Sequence, residues 1–131
     1  MKTTALKMKS SKAKAWKAFS LYIRTRDSIN GMCSCITCGK VIPIKEAQAS
    51  HFLGGRSNAV LFDEEAVYAG CVGCNMFLHG NYGVYTLKMI DRFGRDWVDA
   101  KIAQKHKVVK YTALDFQEIE KKYKQKLKEL V

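Results

Sequence analysis

Cys35-Ile36-Thr37-Cys38 and Cys71-Val72-Gly73-Cys74 are two C-x-x-C pairs, and they decide how the middle of this chain folds. Four thiolates at this spacing suit one tetrahedral Zn²⁺. A site closed by four cysteines has no open coordination position, so we expect the zinc to be structural. Gly39 follows the first pair and permits the bend in which backbone N–H groups face the thiolates.

The chain has a fifth cysteine, Cys33. We expect Cys33 to lie outside the metal site, because Cys35 and Cys38 have the tighter and more usual spacing; a pairing of Cys33 with Cys38 stays open. A disulfide framework would leave one thiol over and would need an oxidising compartment. The five cysteines, without an export signal, therefore favour a reducing compartment such as the cytoplasm.

The composition is that of one modest basic domain. The chain has 131 residues, with 23 Lys and Arg against 12 Asp and Glu, which gives a net charge of +11. Such an excess favours a polyanionic partner, most simply nucleic acid. No stretch approaches the roughly 20 apolar residues of a membrane-spanning helix, and the first residues lack the apolar core of a secretory signal. We therefore expect no membrane partner.

Helical periodicity marks both ends of the chain. Residues 1–10 are polar and basic and predict an arm, and residues 11–131 predict a single domain. A first helix runs from Ser11 to near Asp27, with an aromatic stripe that we expect in the core. Later helices are predicted over about 82–93, 96–105 and 113–131, and the last carries an apolar stripe that is either core or a partner-helix surface.

The middle of the chain is short of helix signals. Residues 41–44, 48–52 and 60–62 predict short strands, the second of which carries His51. Gly54 to Asn58 predicts a loop. A helix is predicted from about Asn75 to near Gly80, just after the second cysteine pair.

His51, Asn75 and His79 can form one cluster. Asn75 and His79 are four residues apart, and residues at this spacing share a helix face. His51 is on another segment, but both segments are tied to the zinc. Phosphodiester hydrolysis needs a base that activates water and a divalent cation that stabilises the leaving oxygen. An imidazole suits the first task, because its unperturbed pKa is about 6.5.

At these residues the sequence resembles the NinG/Rap phage recombination proteins of the HNH, or His-Me finger, nuclease group. The resemblance covers roughly residues 33–95. It is carried by the run from His51 through Arg56, by Leu61-Phe62-Asp63-Glu64, by Cys71-Val72-Gly73-Cys74-Asn75, and by Gly80-Asn81 to Tyr85. It implies an α+β, mostly helical fold: a treble-clef-like zinc scaffold with a ββα-metal core, flanked by basic helices. It also implies a metal-dependent endonuclease that cuts branched DNA, such as Holliday junctions or D-loops, in the host cytoplasm.

The resemblance also assigns roles. It implies that His51 is the general base, and that Asn75 and His79 bind the catalytic Mg²⁺ or Mn²⁺. Ser50 stands where many members carry an Asp or His ligand, and Ala66 stands where the Asn that orients the base would fall. Three other residues are candidates to replace these groups: Asp63, Glu64 and Asn58.

Four residues are candidates for contact with DNA phosphates: Arg56, Asn58, Lys17 and Lys88. The Arg56 guanidinium can meet two phosphate oxygens at once, and the neighbouring glycines let a DNA backbone approach. Plainer interpretations stay open: a zinc-binding or interior His51, a surface His79, an Asn75 that only caps a helix, and an ordinary surface Arg56.

Three functions compete at this point. The first is the endonuclease, which we expect to act as a homodimer because two strands must be cut. The second is a zinc-scaffolded DNA-binding or recombination accessory protein that does not cut. The third is an interaction module that uses the C-terminal amphipathic helix, and it is compatible with either.

Overall fold

A computed structural model describes residues 4–54 and 57–130. Its helices are α1 (Thr4–Arg26), α2 (Asn58–Leu61), α3 (Tyr82–Phe93), α4 (Arg95–Lys105) and α5 (Ala113–Leu130), and its strands are β1 (Ser28–Ile29), β2 (Met32–Ser34), β3 (Val41–Pro43), β4 (Gln48–His51) and β5 (Val67–Gly70). A 3₁₀ turn covers Ile44–Glu46, and a π-helical turn covers Gly73–Phe77. The expectation of a mixed, helix-rich α+β chain is confirmed.

The strands form two small antiparallel sheets. One sheet has the order β1-β2-β3, and the other is the hairpin β4-β5. In the hairpin, Gln48 pairs with Gly70 and His51 pairs with Val67. The predicted strands at residues 41–44 and 48–52 are confirmed, and His51 is the last residue of β4.

The structure corrects two elements. The first helix begins at Thr4, so residues 4–10 are not a separate arm; Ala5, Leu6, Lys7, Met8 and Lys9 are all strong helix formers. Residues 60–62 are not a strand, because Val60 and Leu61 belong to α2 and are both buried. A run of three apolar residues is too short for periodicity to separate helix from strand.

The core joins the two ends of the chain to the hairpin. Phe19 of α1 and Tyr123 of α5 meet edge to face, with ring centroids 4.8 Å apart. They pack in one cluster with Ile23, Ala49 and Val67. The aromatic stripe of α1 and the apolar stripe of α5 therefore face each other as core around Phe19 and Tyr123.

A second apolar cluster packs α3 and α4 against the other side of the hairpin. Its members include Phe52, Tyr68, Tyr85, Met89 and Val98. Tyr85 also donates a hydrogen bond to the Ser50 carbonyl at 2.8 Å, which fixes α3 beside β4. Of the helices in the described ranges, none has the length and apolar character needed to cross a bilayer.

Candidate metal centre and adjacent cleft

The two cysteine pairs meet in space. The Sγ atoms of Cys35, Cys38, Cys71 and Cys74 all lie within 4.8 Å of one another, and those of Cys38 and Cys71 are 3.7 Å apart. Tetrahedral Zn–S bonds of about 2.3 Å place neighbouring sulfurs about 3.8 Å apart. The four cysteines could therefore hold a structural metal such as zinc.

Hydrogen bonds and burial act in opposite directions on these thiols. Burial raises the pKa of Cys35, but N–H groups of Cys38 and Cys71 and the Thr37 hydroxyl outweigh it and lower that pKa to about 6. The Lys40 N–H lowers the pKa of Cys38, but burial and three neighbouring thiols outweigh that, and it rises to about 12. Four thiolates this close repel one another, so a divalent cation is what lets all of them ionise together.

Cys33 lies outside this group, as its spacing predicts. Its buried thiol donates a hydrogen bond to the Arg24 carbonyl at 3.2 Å. The pairing of Cys33 with Cys38 is therefore not what the structure shows.

A cleft of about 520 Å³ opens beside the cysteine cluster. Its polar lining comes from four elements: Ser20 and Arg24 from α1, Gln48 and His51 from β4, Asn75 from the π-helical turn, and Tyr82 from α3; Trp16 and two alanines complete it. The cleft and the cysteine cluster share one short segment, since Cys74 belongs to the cluster and the next residue faces the cleft.

His51 is buried at the edge of this cleft and its ring is held on two sides. The ring is 7% exposed and stacks on Trp16, with centroids 5.1 Å apart. Nε2 lies 3.0 Å from the Leu61 carbonyl oxygen, which can only accept, so Nε2 carries the proton in this hydrogen bond. The neutral tautomer then has its basic lone pair on Nδ1.

The Leu61 carbonyl is the hydrogen-bond partner that orients the His51 ring. Ala66 is buried and has no polar side chain. The three candidate substitutes are engaged elsewhere: Asp63 pairs with Lys101 at 2.7 Å, Glu64 pairs with Lys126 at 2.8 Å, and Asn58 donates to the Val109 carbonyl. A backbone carbonyl is present at every residue, so sequence patterns do not reveal this partner.

Asn75 faces the cleft with an ordered amide. Its Nδ2 donates to Gln48 Oε1 at 2.6 Å, and its backbone N–H donates to the Cys71 carbonyl at 2.9 Å. Ser50, by contrast, is 3% exposed and packs on Gly70, on the strand face opposite to His51. Ser50 is not among the residues that line the cleft.

His79 does not share a helix face with Asn75. The π-helical turn ends at Phe77, and His79 has a left-handed φ of 50° in the turn that follows. Its side chain is exposed and is not among the cleft-lining residues in the described part of the chain. The prediction that these two residues share a helix face is wrong, because the chain is not α-helical from Asn75 through His79.

Arg24 is a cleft residue that the sequence reasoning did not select. Its guanidinium donates to the Ser20 carbonyl and hydroxyl and to the Ile44 carbonyl, each at 3.2 Å. None of the ion pairs among the described residues includes Arg24, so no carboxylate neutralises it there. Burial lowers the pKa of this half-buried guanidinium, but an arginine side chain stays protonated in proteins, so the cleft holds a positive charge. Trp16, Ser20 and Arg24 recur every four residues, and this spacing is the signal that could have found it.

The other predicted DNA-contacting residues lie away from the cleft lining. Lys17 and Lys88 are exposed on α1 and α3, and the Asn58 amide ties the chain near Val109 to α2. Arg56 lies outside the described residues. Gly54, the last described residue before it, lies against the ring of the cleft residue Tyr82.

Comparison with known proteins identifies one phage protein family. The family model described as NinG, Bacteriophage Lambda NinG protein, matches residues 1–131. The chain belongs to the NinG family. It is 31% identical to Protein ninG of Escherichia phage 933W over 116 residues, which is 88% of this chain and 56% of that protein.

Two further NinG relatives give the same picture. Protein ninG of Salmonella phage P22 is 31% identical over 88% of this chain and 55% of its own length. Protein ninG of Enterobacteria phage H19B is 28% identical over 88% of this chain and 56% of its own length. The chain therefore spans a little over half the length of these NinG proteins. No solved structure gives a significant match.

Proposed function

We propose that this NinG-family chain is a metal-dependent endonuclease that cuts branched DNA intermediates of recombination, such as Holliday junctions or D-loops. The observation that carries the proposal is the position of His51. The Leu61 carbonyl sets its tautomer, and its ring lies at the edge of a cleft beside the cluster of four cysteines. The order of elements supports an HNH-like ββα core, because β4 ends in His51, β5 pairs with it, and the turn that carries Asn75 follows.

In this proposal His51 Nδ1 takes a proton from the water that attacks the scissile phosphorus. The Leu61 carbonyl stabilises the imidazolium that forms, because it keeps the Nε2 proton hydrogen-bonded. Trp16 holds the ring plane in place. An imidazole used this way must be neutral, so cleavage should fall at acid pH.

Asn75 is the cleft residue that would hold a divalent cation. Its Nδ2 donates to Gln48, so the Oδ1 oxygen does not face Gln48 and would be the metal ligand. Mg²⁺ takes many of its ligands from water and substrate phosphates, so DNA phosphates and water would have to complete this site. Bound there, Mg²⁺ or Mn²⁺ would stabilise the developing charge on the leaving oxygen.

Arg24 and the basic helices would hold the DNA. Arg24 lies in the same cleft as His51 and offers a charge-assisted donor to a phosphate oxygen. Lys17 lies on the neighbouring exposed stripe of α1 and would extend this contact along a DNA arm. Two cuts resolve a junction, so we propose a homodimer on the DNA, acting in the reducing host cytoplasm.

The test compares the two histidines near the cysteine cluster. His51→Ala should bind a four-way junction with wild-type affinity but cut it at least about 100-fold more slowly, the loss typical of a missing general base. His79→Ala, in which an exposed side chain is truncated, should cut at close to the wild-type rate. Zinc content and circular dichroism check that both variants fold. Wild-type cleavage by His51→Ala would show that the catalytic role is wrong.

A second candidate is a DNA-binding accessory protein that does not cut. The observation in its favour is that the cleft-lining residues in the described ranges include no carboxylate, although Mg²⁺ sites usually supply one or two. Titration of the zinc-loaded protein with Mn²⁺ separates the two. The endonuclease should bind one further, weaker divalent cation that Asn75→Ala removes, and the accessory protein should bind none.

A further inference from the structure

Three consecutive large apolar side chains project from the protein just after the second cysteine pair. Met76, Phe77 and Leu78 are 58%, 77% and 58% exposed. A single exposed hydrophobic residue is ordinary, but a run of three exposes apolar area that folding leaves unburied. This apolar tip, residues 76–78, needs a partner outside its own core.

The apolar tip is held on a firm base. The Leu78 N–H donates to the Gly73 carbonyl and the Gly80 N–H donates to the Cys74 carbonyl, both at 2.9 Å. The Asn81 amide lies 3.6 Å from Cys74 Sγ. These bonds fasten the C-terminal end of the tip to Gly73 and to Cys74 of the cluster, so the tip has a fixed support.

The apolar tip is also continuous with the cleft. One side chain, Gln48, contacts both, because its Oε1 accepts from Asn75 Nδ2 at 2.6 Å and its Nε2 lies 3.4 Å from Met76 Sδ. The tip therefore begins one residue away from a cleft-lining side chain. A nucleic acid with a phosphate beside His51 and Arg24 would lie near Met76, the first residue of the tip.

We propose that Met76, Phe77 and Leu78 form a wedge that enters branched DNA and stacks on bases exposed at the branch point. The chain's net charge of +11 favours a polyanionic partner over an apolar protein partner. The faces of unstacked bases are the apolar surface that such a polyanion offers. Entry between bases is easiest where the stack is already interrupted, so the wedge selects branched DNA over continuous duplex. This inference rests on the proposed function and names the feature of the substrate that it recognises.

The experiment measures the affinity ratio between a four-way junction and a duplex of equal length, without added Mg²⁺ or Mn²⁺. Phe77→Ala should weaken junction binding by about tenfold, the loss typical of one base-stacking aromatic, and leave duplex binding within about twofold. Phe77→Trp should keep the wild-type ratio. Ile29→Ala is the matched control, since Ile29 is 78% exposed on β1, and it should change neither affinity.

The wedge would be overturned if Phe77→Ala bound both DNAs as tightly as wild type does. It would also be overturned if the variant lost affinity for both DNAs by the same factor. A fall in oligomeric mass on sedimentation of Phe77→Ala in the absence of DNA would overturn it as well, because the tip would then be an interface between copies. The cleavage assay with His51→Ala reads the proposed endonuclease separately. If the protein prefers junctions through Phe77 but cuts no DNA, the wedge is supported and the proposed endonuclease is contradicted.

Discussion

The cysteine cluster and the cleft are neighbours on one segment, yet they are built in different ways. The cluster takes all four of its ligands from two short motifs, and its geometry is closed and complete. The cleft takes one or two groups from each of four elements, and its histidine is oriented by a backbone carbonyl ten residues away. Local spacing therefore fixes the first site, whereas tertiary packing fixes the second.

Removal of one cysteine should have the largest effect, because the cluster organises both sites. Structural zinc contributes roughly 10–16 kcal/mol in small zinc-binding peptides, as much as the whole stability of a typical domain, about 5–15 kcal/mol. Cys71→Ser should therefore lose bound zinc and its cooperative thermal unfolding transition. Metal analysis and thermal circular dichroism provide the readouts.

Cys33→Ala is the matched control for that variant. It removes a buried thiol outside the cluster and one hydrogen bond to the Arg24 carbonyl. It should keep the wild-type zinc content and lose only about 1 kcal/mol of stability. If Cys71→Ser kept zinc and cooperativity as well, the cluster would not be what organises the fold.

A smaller effect should distinguish the cleft from the rest of the basic surface. Arg24→Gln keeps a side chain that can donate to Ser20 but removes the cleft charge. Junction affinity should fall about tenfold, and the slope of log affinity against log salt should shrink by about one, as for the loss of one phosphate contact. Fluorescence anisotropy over a salt series measures both.

The comparison variant for Arg24 is Arg95→Ala. The Arg95 side chain is 75% exposed and pairs with Asp99 at 3.3 Å, so its charge is already partly neutralised. Its removal should leave the salt slope unchanged. An Arg24→Gln slope equal to that of wild type would mean that no phosphate enters the cleft at this point.

The smallest expected effect concerns the ion pair that fastens α5 to the segment after α2. Burial raises the pKa of the Glu64 carboxyl, but hydrogen bonds from Lys126 and Tyr123 outweigh it and hold the pKa below its usual value. A lowered folded-state pKa adds stability above the unfolded-state pKa, and that stability is lost as the pH falls through the folded-state value. Glu64→Gln should therefore cost about 1 kcal/mol at pH 7.

The cost of Glu64→Gln should shrink as the pH is lowered below about 4.5, near the ordinary pKa of a glutamate. Urea unfolding of both proteins at several pH values measures it. Glu120→Gln breaks the i,i+4 pair with Lys124 within α5 and should cost only a few tenths of a kcal/mol. A pH-independent difference between wild type and Glu64→Gln would rule out this carboxylate as the cause.

Sequence patterns predicted the parts of the fold that depend on local spacing. The long amphipathic helices α1 and α5, the stop of α3 at Gly94 and the strand that carries His51 all follow from periodicity and turn residues. Strand β5 escaped prediction because Val67, Tyr68, Ala69 and Gly70 are all buried and show no alternation. The two-residue strand β1 is shorter than any periodic signal.

The candidate site was predicted in part for the same reason. His51 and Asn75 were found because each adjoins a recognisable motif, and both line the cleft. Arg24 was missed because its importance comes from the packing of α1 across β4, and Leu61 was missed because its contribution is a backbone oxygen. His79 was misplaced because a π-helical turn changes the direction of every side chain after it.

We propose that the cleft beside the cysteine cluster cuts branched DNA. The most direct measurement incubates the zinc-loaded chain with end-labelled duplex, single-stranded, flap and four-way DNA, with and without Mg²⁺ or Mn²⁺. The account predicts divalent-dependent cleavage of the four-way and flap DNAs and little cleavage of duplex. Binding of all four DNAs without cleavage of any, at full zinc content and with either added metal, would contradict it.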